Sequence, residues 1–524
     1  MKRRAAWLAL LLLAAGLHLW RLEVRTFHHD ESIHAALSWD LATKGEYRYD
    51  PTYHGPLLYH LTAASYHLLG DSDFTARLPV ALAGILMVLV AWSARRWLGE
   101  GGAWWTGLLF TISPVFLYYG RFLRMDVLEA LFASAALVAF GHAVAGSSRA
   151  FVVCGALAGL ALATKENVYV TAFLVTVALA AVALRLGPRS SLRTGGRWVW
   201  THRWGLVAAG STALVVAITF YTVFFKWPGD WNFPLKAIRY WWQQHSIERV
   251  GGPWWYHLPR LVQYEFLPLA AAVFYMLRRG RRTALELFLF SFGLLSIAMY
   301  AYLGEKTPWL EVHQVWAFIP LAGLQLARSF SPTGRRAGRI ALGLGLAATL
   351  VVSVTAAFVT DEISPNLPRV ESFIYVQTCP ELKGVVRDGL ALKGSGEDPV
   401  AAVGGESGWP MTWYWRHLPV WWDVPRPGMR PPIVLCDPDQ EPEVRRRLGP
   451  NYTSDRIPLR AWWSPEEKRP TVGEVVRYLL TRKPWTPVAA VYVAVLRRQP
   501  GEVASVRPAT VPAALAASLG VVSA

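Results

Sequence analysis

Two adjacent carboxylates, Asp30 and Glu31, stand in the stretch His28-His29-Asp30-Glu31-Ser32-Ile33-His34, just past the first apolar run of the chain. Acids beside a membrane segment are costly unless they are solvated or used. In such a pair, one carboxylate can take a proton from an attacking hydroxyl while the other holds a metal or tunes its neighbour. That makes Asp30 and Glu31 the candidate catalytic residues. Asp30 and His34 are four apart and share a helix face. His28, His34 and His54, with Glu31, are the candidate ligands of a divalent metal cation. A local alternative makes Asp30 an N-cap for the helix that follows, and the two roles can coexist.

Three further stretches carry basic groups suited to phosphate. Gly120-Arg121-Phe122-Leu123-Arg124-Met125-Asp126 presents arginines, whose planar fork fits phosphate; Asp126 would cap a helix or position Arg124, and snorkelling at the interface is the bland reading of both arginines. Thr164-Lys165-Glu166-Asn167 places a lysine beside an acid between two apolar runs, either as a phosphate ligand or as a satisfied ion pair. Gly304-Glu305-Lys306-Thr307-Pro308-Trp309 is followed by Glu311 and His313, ionisable groups just inside the next apolar run. Arg124, Lys165 and Lys306 are the candidate phosphate ligands, with Asp126, His54, Glu166, Glu305 and His313 as candidate supporting residues.

The elements that must position these residues are membrane helices. The 524 residues are 53% hydrophobic and 17% charged, against about 25% charged in soluble domains, and the mean hydropathy is +0.26. The net charge of +17 does not indicate nucleic acid, because the arginines lie between apolar runs. At about 20 residues per span, runs begin near Ala5, Leu78, Ala103, Val127, Phe151, Val168, Gly205, Leu261, Ala284, Trp309 and Ile340, roughly eleven in all. The segments Lys2-Arg3-Arg4, Arg95-Arg96, Arg149, Arg185 to Arg203, Arg278 to Arg282 and Arg335-Arg336 then fall on one side. Asp30, Glu31, Asp126, Glu166 and Glu305 fall on the other. Basic loops stay inside, so the expectation is a multi-pass cell-membrane protein, N-terminus in and C-terminus out, with all four stretches facing one extracytoplasmic chamber.

The expected division is a first helix over 1–20, a first outer loop with interfacial helices over 21–77, further spans over 78–359, a soluble α/β domain over 360–499 and a loose tail over 500–524. Within the α/β domain, Val400–Gly404 and Pro432–Cys436 read as buried strands, and Glu441–Leu448 and Val472–Leu480 as helices. Cys379 and Cys436 both lie in this region, where pairing is open.

Together these residues resemble the GT-C superfamily of membrane glycosyltransferases. Within it, the chain is similar to the bacterial and archaeal flippase activity-associated family, relatives of dolichyl-phosphate-mannose-protein mannosyltransferases. Its marks are His28 to Ala35, Tyr49-Asp50-Pro51-Thr52-Tyr53-His54-Gly55-Pro56, Gly120 to Asp126, Gly304 to Trp309, Gly408-Trp409-Pro410 and Trp413-Tyr414. The resemblance implies Asp30 as general base, Asp126 as the acid of the second outer loop, and Arg124 and Lys165 on the phosphate of a polyprenyl-phosphate-linked sugar. It implies inverting transfer to an extracytoplasmic protein, lipid or glycan acceptor. The α/β tail departs from the β-trefoil of the eukaryotic mannosyltransferases. A non-enzymatic flippase for lipid-linked sugars is the alternative; it calls for repeated halves, and no repeat at a fixed period is found.

Overall fold

A computed structural model of the chain describes residues 2–247 and 251–499. The expected loose tail, 500–524, lies outside the described residues. The fold divides into two compact units, one built from residues 1–386, 409–416 and 458–491 and the other from the remaining stretches after residue 386.

The first unit is helical. It opens with α1 (Lys2–Leu19), followed by two helices of the first loop, α2 (His29–Lys44) and α3 (Leu57–Leu69). The next elements are α4 (Asp73–Ser93), α5 (Arg95–Ile112), α6 (Pro114–Tyr119), α7 (Asp126–Val144) and α8 (Arg149–Leu162). Then come α9 (Asn167–Leu186), α10 (Pro188–Thr201), α11 (Arg203–Tyr221), α12 (Phe233–Ile247), α13 (His257–Tyr264) and α14 (Phe266–Leu277). The set closes with α15 (Ala284–Tyr302), α16 (Glu311–Val315), α17 (Phe318–Ser329) and α18 (Arg336–Phe358).

Six of these, α4, α7, α9, α11, α15 and α18, are long and apolar enough to cross a membrane. The other five expected spans also coincide with helices but fall short for visible reasons. Lys2, Arg3 and Arg4 charge the start of α1, and α5 carries Arg95, Arg96 and Glu100 and departs from helical geometry at Gly99 (φ 67°). α8 and α14 have 14 and 12 residues, and the run from Trp309 is broken between α16 and α17.

The first loop is held by its own capping chemistry. His28 is the N-cap of α2: its ring accepts from the Asp30 N–H, while the Glu31 carboxylate accepts from the His28 N–H. That reciprocal box satisfies two helix-end donors, and it corrects the reading of Asp30 as the cap. Gly45 ends the helix in the left-handed region at φ 66°, where a side chain is disfavoured.

Segments expected in the soluble tail belong to the helical unit because they bond to the two ends of its first loop. The Trp413 indole donates to Asp73 at 2.8 Å, Arg416 pairs with Asp71 at 2.6 Å, and the Tyr414 hydroxyl accepts from the Phe27 N–H at 2.8 Å. Strands β1 (Gln377–Thr378) and β5 (Tyr452–Trp462) pair antiparallel there, Thr378 opposite Arg460.

The second unit is α/β. β2 (Ala401–Val403) lies between β3 (Val420–Trp421) and β4 (Ile433–Cys436), parallel to both, and β4 pairs antiparallel with β6 (Ala489–Arg498). Val434, Cys436, Val444 and Leu496 lie in its core, packing the sheet against the helix Glu441–Leu448. Cys379 and Cys436 are free thiols.

Where the first loop meets the end of α8, backbones touch: the Leu57 N–H donates to the Ala163 carbonyl at 2.8 Å. A Cβ at Gly55 would lie 2.4 Å from that carbonyl oxygen, which requires a backbone shift. Gly55→Ala is therefore expected to lose about 1–3 kcal/mol, the usual cost of overpacking, read as a lower melting temperature of the purified protein.

Candidate active site

The site is built outward from Glu31, which is fully buried. Arg77, near the start of α4, grips it with two bonds, Nε to Oε1 at 2.7 Å and Nη2 to Oε2 at 2.8 Å. Arg77 also donates to the carbonyls of Leu22, Arg25 and Thr26. Glu31 accepts in addition from the His28 N–H at 2.9 Å and from the Leu123 N–H at 2.8 Å. Burial pushes the Glu31 pKa up, but Arg77 outweighs it and holds the carboxyl down at about 2. The expected catalytic role of Glu31 is corrected on this ground: both its oxygens are spent, and it fastens the first loop to α4 and to the turn before α7.

The same turn delivers Arg121 and Arg124 to different tasks. Arg121 caps the end of α1, donating to the carbonyls of Leu17, His18, Trp20 and Arg21. Arg124 is buried, lies over the Trp309 ring at 3.7 Å and pairs with Asp30. The Asp30 side chain is 32% exposed, so one face of that carboxylate remains open. Burial acts to raise the Asp30 pKa, yet the adjacent Arg124 charge prevails and holds the carboxyl well below its usual range.

Behind Arg124 lies Asp126, at the first position of α7 and 1% exposed. Three basic groups converge on it. Lys165 Nζ donates to Oδ1 at 2.6 Å, His313 Nε2 lies 3.0 Å from Oδ1, and Arg124 Nε is 3.6 Å from Oδ2. His313 Nδ1 faces the Glu129 carboxylate at 2.9 Å, and Thr171 donates to Glu129 at 3.0 Å. Each ring nitrogen of His313 faces a carboxylate, and an imidazole donates from both nitrogens only as the cation. Asp30, Arg124, Asp126, His313 and Glu129 thus form one chain of alternating charge, with Lys165 branching from Asp126, drawn from five helices or turns.

Residues 53–223 match the family model described as dolichyl-phosphate-mannose-protein mannosyltransferase. ArnT from Cupriavidus metallidurans in the apo state is similar in structure, with a TM-score of 0.59 and 19% identity over 84% of this chain and 95% of that one. The same protein bound to undecaprenyl phosphate gives a TM-score of 0.56 and 20% identity over 84% and 94%. The chain shares its fold with ArnT. The oligosaccharyltransferase of Archaeoglobus fulgidus in the apo form matches more distantly, at a TM-score of 0.50 and 13% identity over 86% and 69%. No curated protein sequence matches the chain.

Within this shared fold, several expected site residues fall outside the charge chain. Lys306 is corrected from phosphate ligand to helix cap: buried, it donates to the carbonyls of Tyr300, Ala301 and Leu303 at the end of α15. Glu305 is half-buried and forms no ion pair among the described residues. His54 and Glu166 pair at 2.9 Å, Tyr49 donates to Glu166 at 3.3 Å, and the His54 ring stacks parallel on Trp241.

The metal set does not assemble. Among the described residues no group of three or more His, Cys, Asp or Glu is placed to hold an ion. His28 is fixed between the Asp30 N–H and the Tyr375 carbonyl, at 2.9 and 2.5 Å. His34 Nδ1 meets the Tyr59 hydroxyl at 2.8 Å, and burial, with Arg124 adding to it, lowers the His34 pKa to about 3. His54 is engaged by Glu166 and Glu31 by Arg77, so the residues present do not fit a metal centre.

Sequence reasoning passed over Arg77, Glu129 and Trp309. Glu129 carried a usable signal, as an ionisable group inside an apolar run, whereas Arg77 stands at the edge of the run that begins near Leu78 and reads as a loop residue. Trp309 carried none, because a tryptophan beside a span reads as an interfacial anchor. Removing Arg77 strands a buried carboxylate, and breaking such a pair from one side costs about 3–5 kcal/mol. Arg77→Gln is expected to lower the melting temperature of the purified protein strongly; a wild-type melt would contradict the anchoring role.

Proposed function

We propose that the protein transfers a sugar, a hexose or pentose, from a polyprenyl-phosphate carrier to an acceptor hydroxyl on the extracytoplasmic side of the cell membrane. The observation that carries this reading is Arg124, a buried guanidinium between an open-faced carboxylate, Asp30, and the Lys165–Asp126–His313 cluster. The support from likeness is twofold: the match over residues 53–223 to a mannosyltransferase family model, and a fold shared with ArnT, which binds undecaprenyl phosphate.

Arg124 is the shared element. In the unliganded protein it holds Asp30 as a carboxylate too weakly basic to take a hydroxyl proton efficiently. A donor phosphate competes for the same guanidinium. Once Arg124 turns to the phosphate, Asp30 loses its counter-charge and becomes more basic. The acceptor oxygen then attacks the anomeric carbon, its proton passes to Asp30, and the bond from that carbon to the phosphate oxygen breaks with inversion. Polyprenyl phosphate leaves with the electron pair, its growing charge met by Arg124 and Lys165. Asp126 keeps both cations in place while they are unliganded. The acceptor, whether protein, lipid or glycan, takes the open face of Asp30.

Asp30→Asn preserves size and removes the base. With a polyprenyl-phosphate mannose donor in reconstituted lipid, transfer is expected to fall by about 10²–10⁴, the usual contribution of general base catalysis, while polyprenyl phosphate still binds. Full activity in the variant would remove Asp30 from the mechanism. Arg124→Gln deprives Asp30 of the charge that opposes its burial, so the acid limb of kcat/KM moves to higher pH and the donor KM rises. An unmoved acid limb would show that Arg124 does not set the basicity of Asp30.

A further inference from the structure

α10 is a 14-residue helix with no buried residue. Only Gly187 separates it from α9 and only His202 separates it from α11, and both neighbours are long and apolar enough to cross a membrane. A helix tied within one residue of a span at each end has no freedom to leave the bilayer surface. Its composition suits that position. Arg189, Arg193 and Arg197 recur every fourth residue, which at 3.6 residues per turn gathers them on one face. Leu192 and Val199 project well away from that face, exposed by 74% and 50%. Trp198 closes the base, stacked on His202 at 4.7 Å and on Phe151 at 6.1 Å.

Among the described residues the charges on this helix have no acidic partner. The sequence holds no Asp or Glu from 167 to 229. Among the described residues Arg185, Arg189, Arg193 and Arg197 form no ion pair, although Arg446 and Arg447, equally on the surface of the second unit, pair with Glu443. A row of unpaired arginines beside exposed apolar side chains, fixed at the membrane surface, matches an interfacial helix on an anionic leaflet.

The geometry points to α10 as a docking surface for anionic phospholipid headgroups, with Arg189, Arg193 and Arg197 on the headgroup phosphates and Leu192 and Val199 in the acyl boundary. Its apolar side chains require a lipid rather than free phosphate. The site is independent of the transfer chemistry, since none of its residues belongs to the Asp30 cluster.

The test uses the full chain purified through mixed phosphatidylcholine and phosphatidylglycerol micelles, with each retained lipid counted by native mass spectrometry. Wild type is expected to retain phosphatidylglycerol over phosphatidylcholine, less so as salt rises and without competition from inorganic phosphate. At about fivefold per basic residue near such a surface, Arg193→Gln loses about fivefold in affinity and the triple change at Arg189, Arg193 and Arg197 far more. The triple change Arg445→Gln, Arg446→Gln and Arg447→Gln removes the same net charge from the second unit and leaves retention at the wild-type level. Equal retention by wild type and the α10 variants, equal loss from the control, or displacement by inorganic phosphate would each overturn the proposal. Arg193→Gln alone decides the matter if the triple α10 variant does not fold.

Discussion

The site depends on one buried pair, Glu31 with Arg77. Arg77 has five N–H donors, and five hydrogen bonds leave it, two to Glu31 and three to carbonyls between Leu22 and Thr26. The two-point grip on the carboxylate is the strong form of such a contact. Through Glu31 the pair reaches the first turn of α2 and the Leu123 N–H. Three segments far apart in sequence are thereby set in register, and two are those that carry Asp30 and Arg124. A buried ion pair is weak evidence for stability; here what it supplies is position.

The second constraint is the cost of holding cations without a ligand. Lys165, His313 and Arg124 are each nearly inaccessible to solvent, and uncompensated charge in such surroundings is prohibitive. Asp126 and Glu129 answer this from one face of α7, three residues apart. Arg124 is the cation that is divided: its Nη1 is on Asp30, while its Nε lies 3.6 Å from Asp126 without a hydrogen bond. A group so incompletely bound at a mouth that Asp30 leaves partly open is one an incoming anion can draw away at modest cost.

Much of this was legible in the sequence. Hydropathy marked every long helix, and the adjacency of Asp30 to Glu31, the Arg124–Asp126 spacing and Lys165 led to the residues that meet. Strand β4 and the helix Glu441–Leu448 followed from a short apolar run and its charged successor. Other readings failed because several kinds of partner look alike in one dimension. Glu31 resembled a catalytic acid because its partner lies in another helix, 46 residues away. Lys306 resembled a phosphate ligand because a lysine capping a helix end has the same flanks. The His residues suggested a metal because their spacing does not reveal that Tyr59, Tyr375 and Glu166 take them. The tail read as one domain because its contacts with the first loop run through Trp413, Tyr414 and Arg416, which carry no periodic signal.

The claim that matters most is that Arg124 is shared between Asp30 and the donor phosphate. The direct measurement is a structure of the protein with polyprenyl phosphate bound. The account predicts a phosphate oxygen within hydrogen-bond reach of the Arg124 guanidinium and an Asp30 carboxylate freed from it, facing the acceptor side. A phosphate bound elsewhere, with Arg124 still on Asp30, would contradict it.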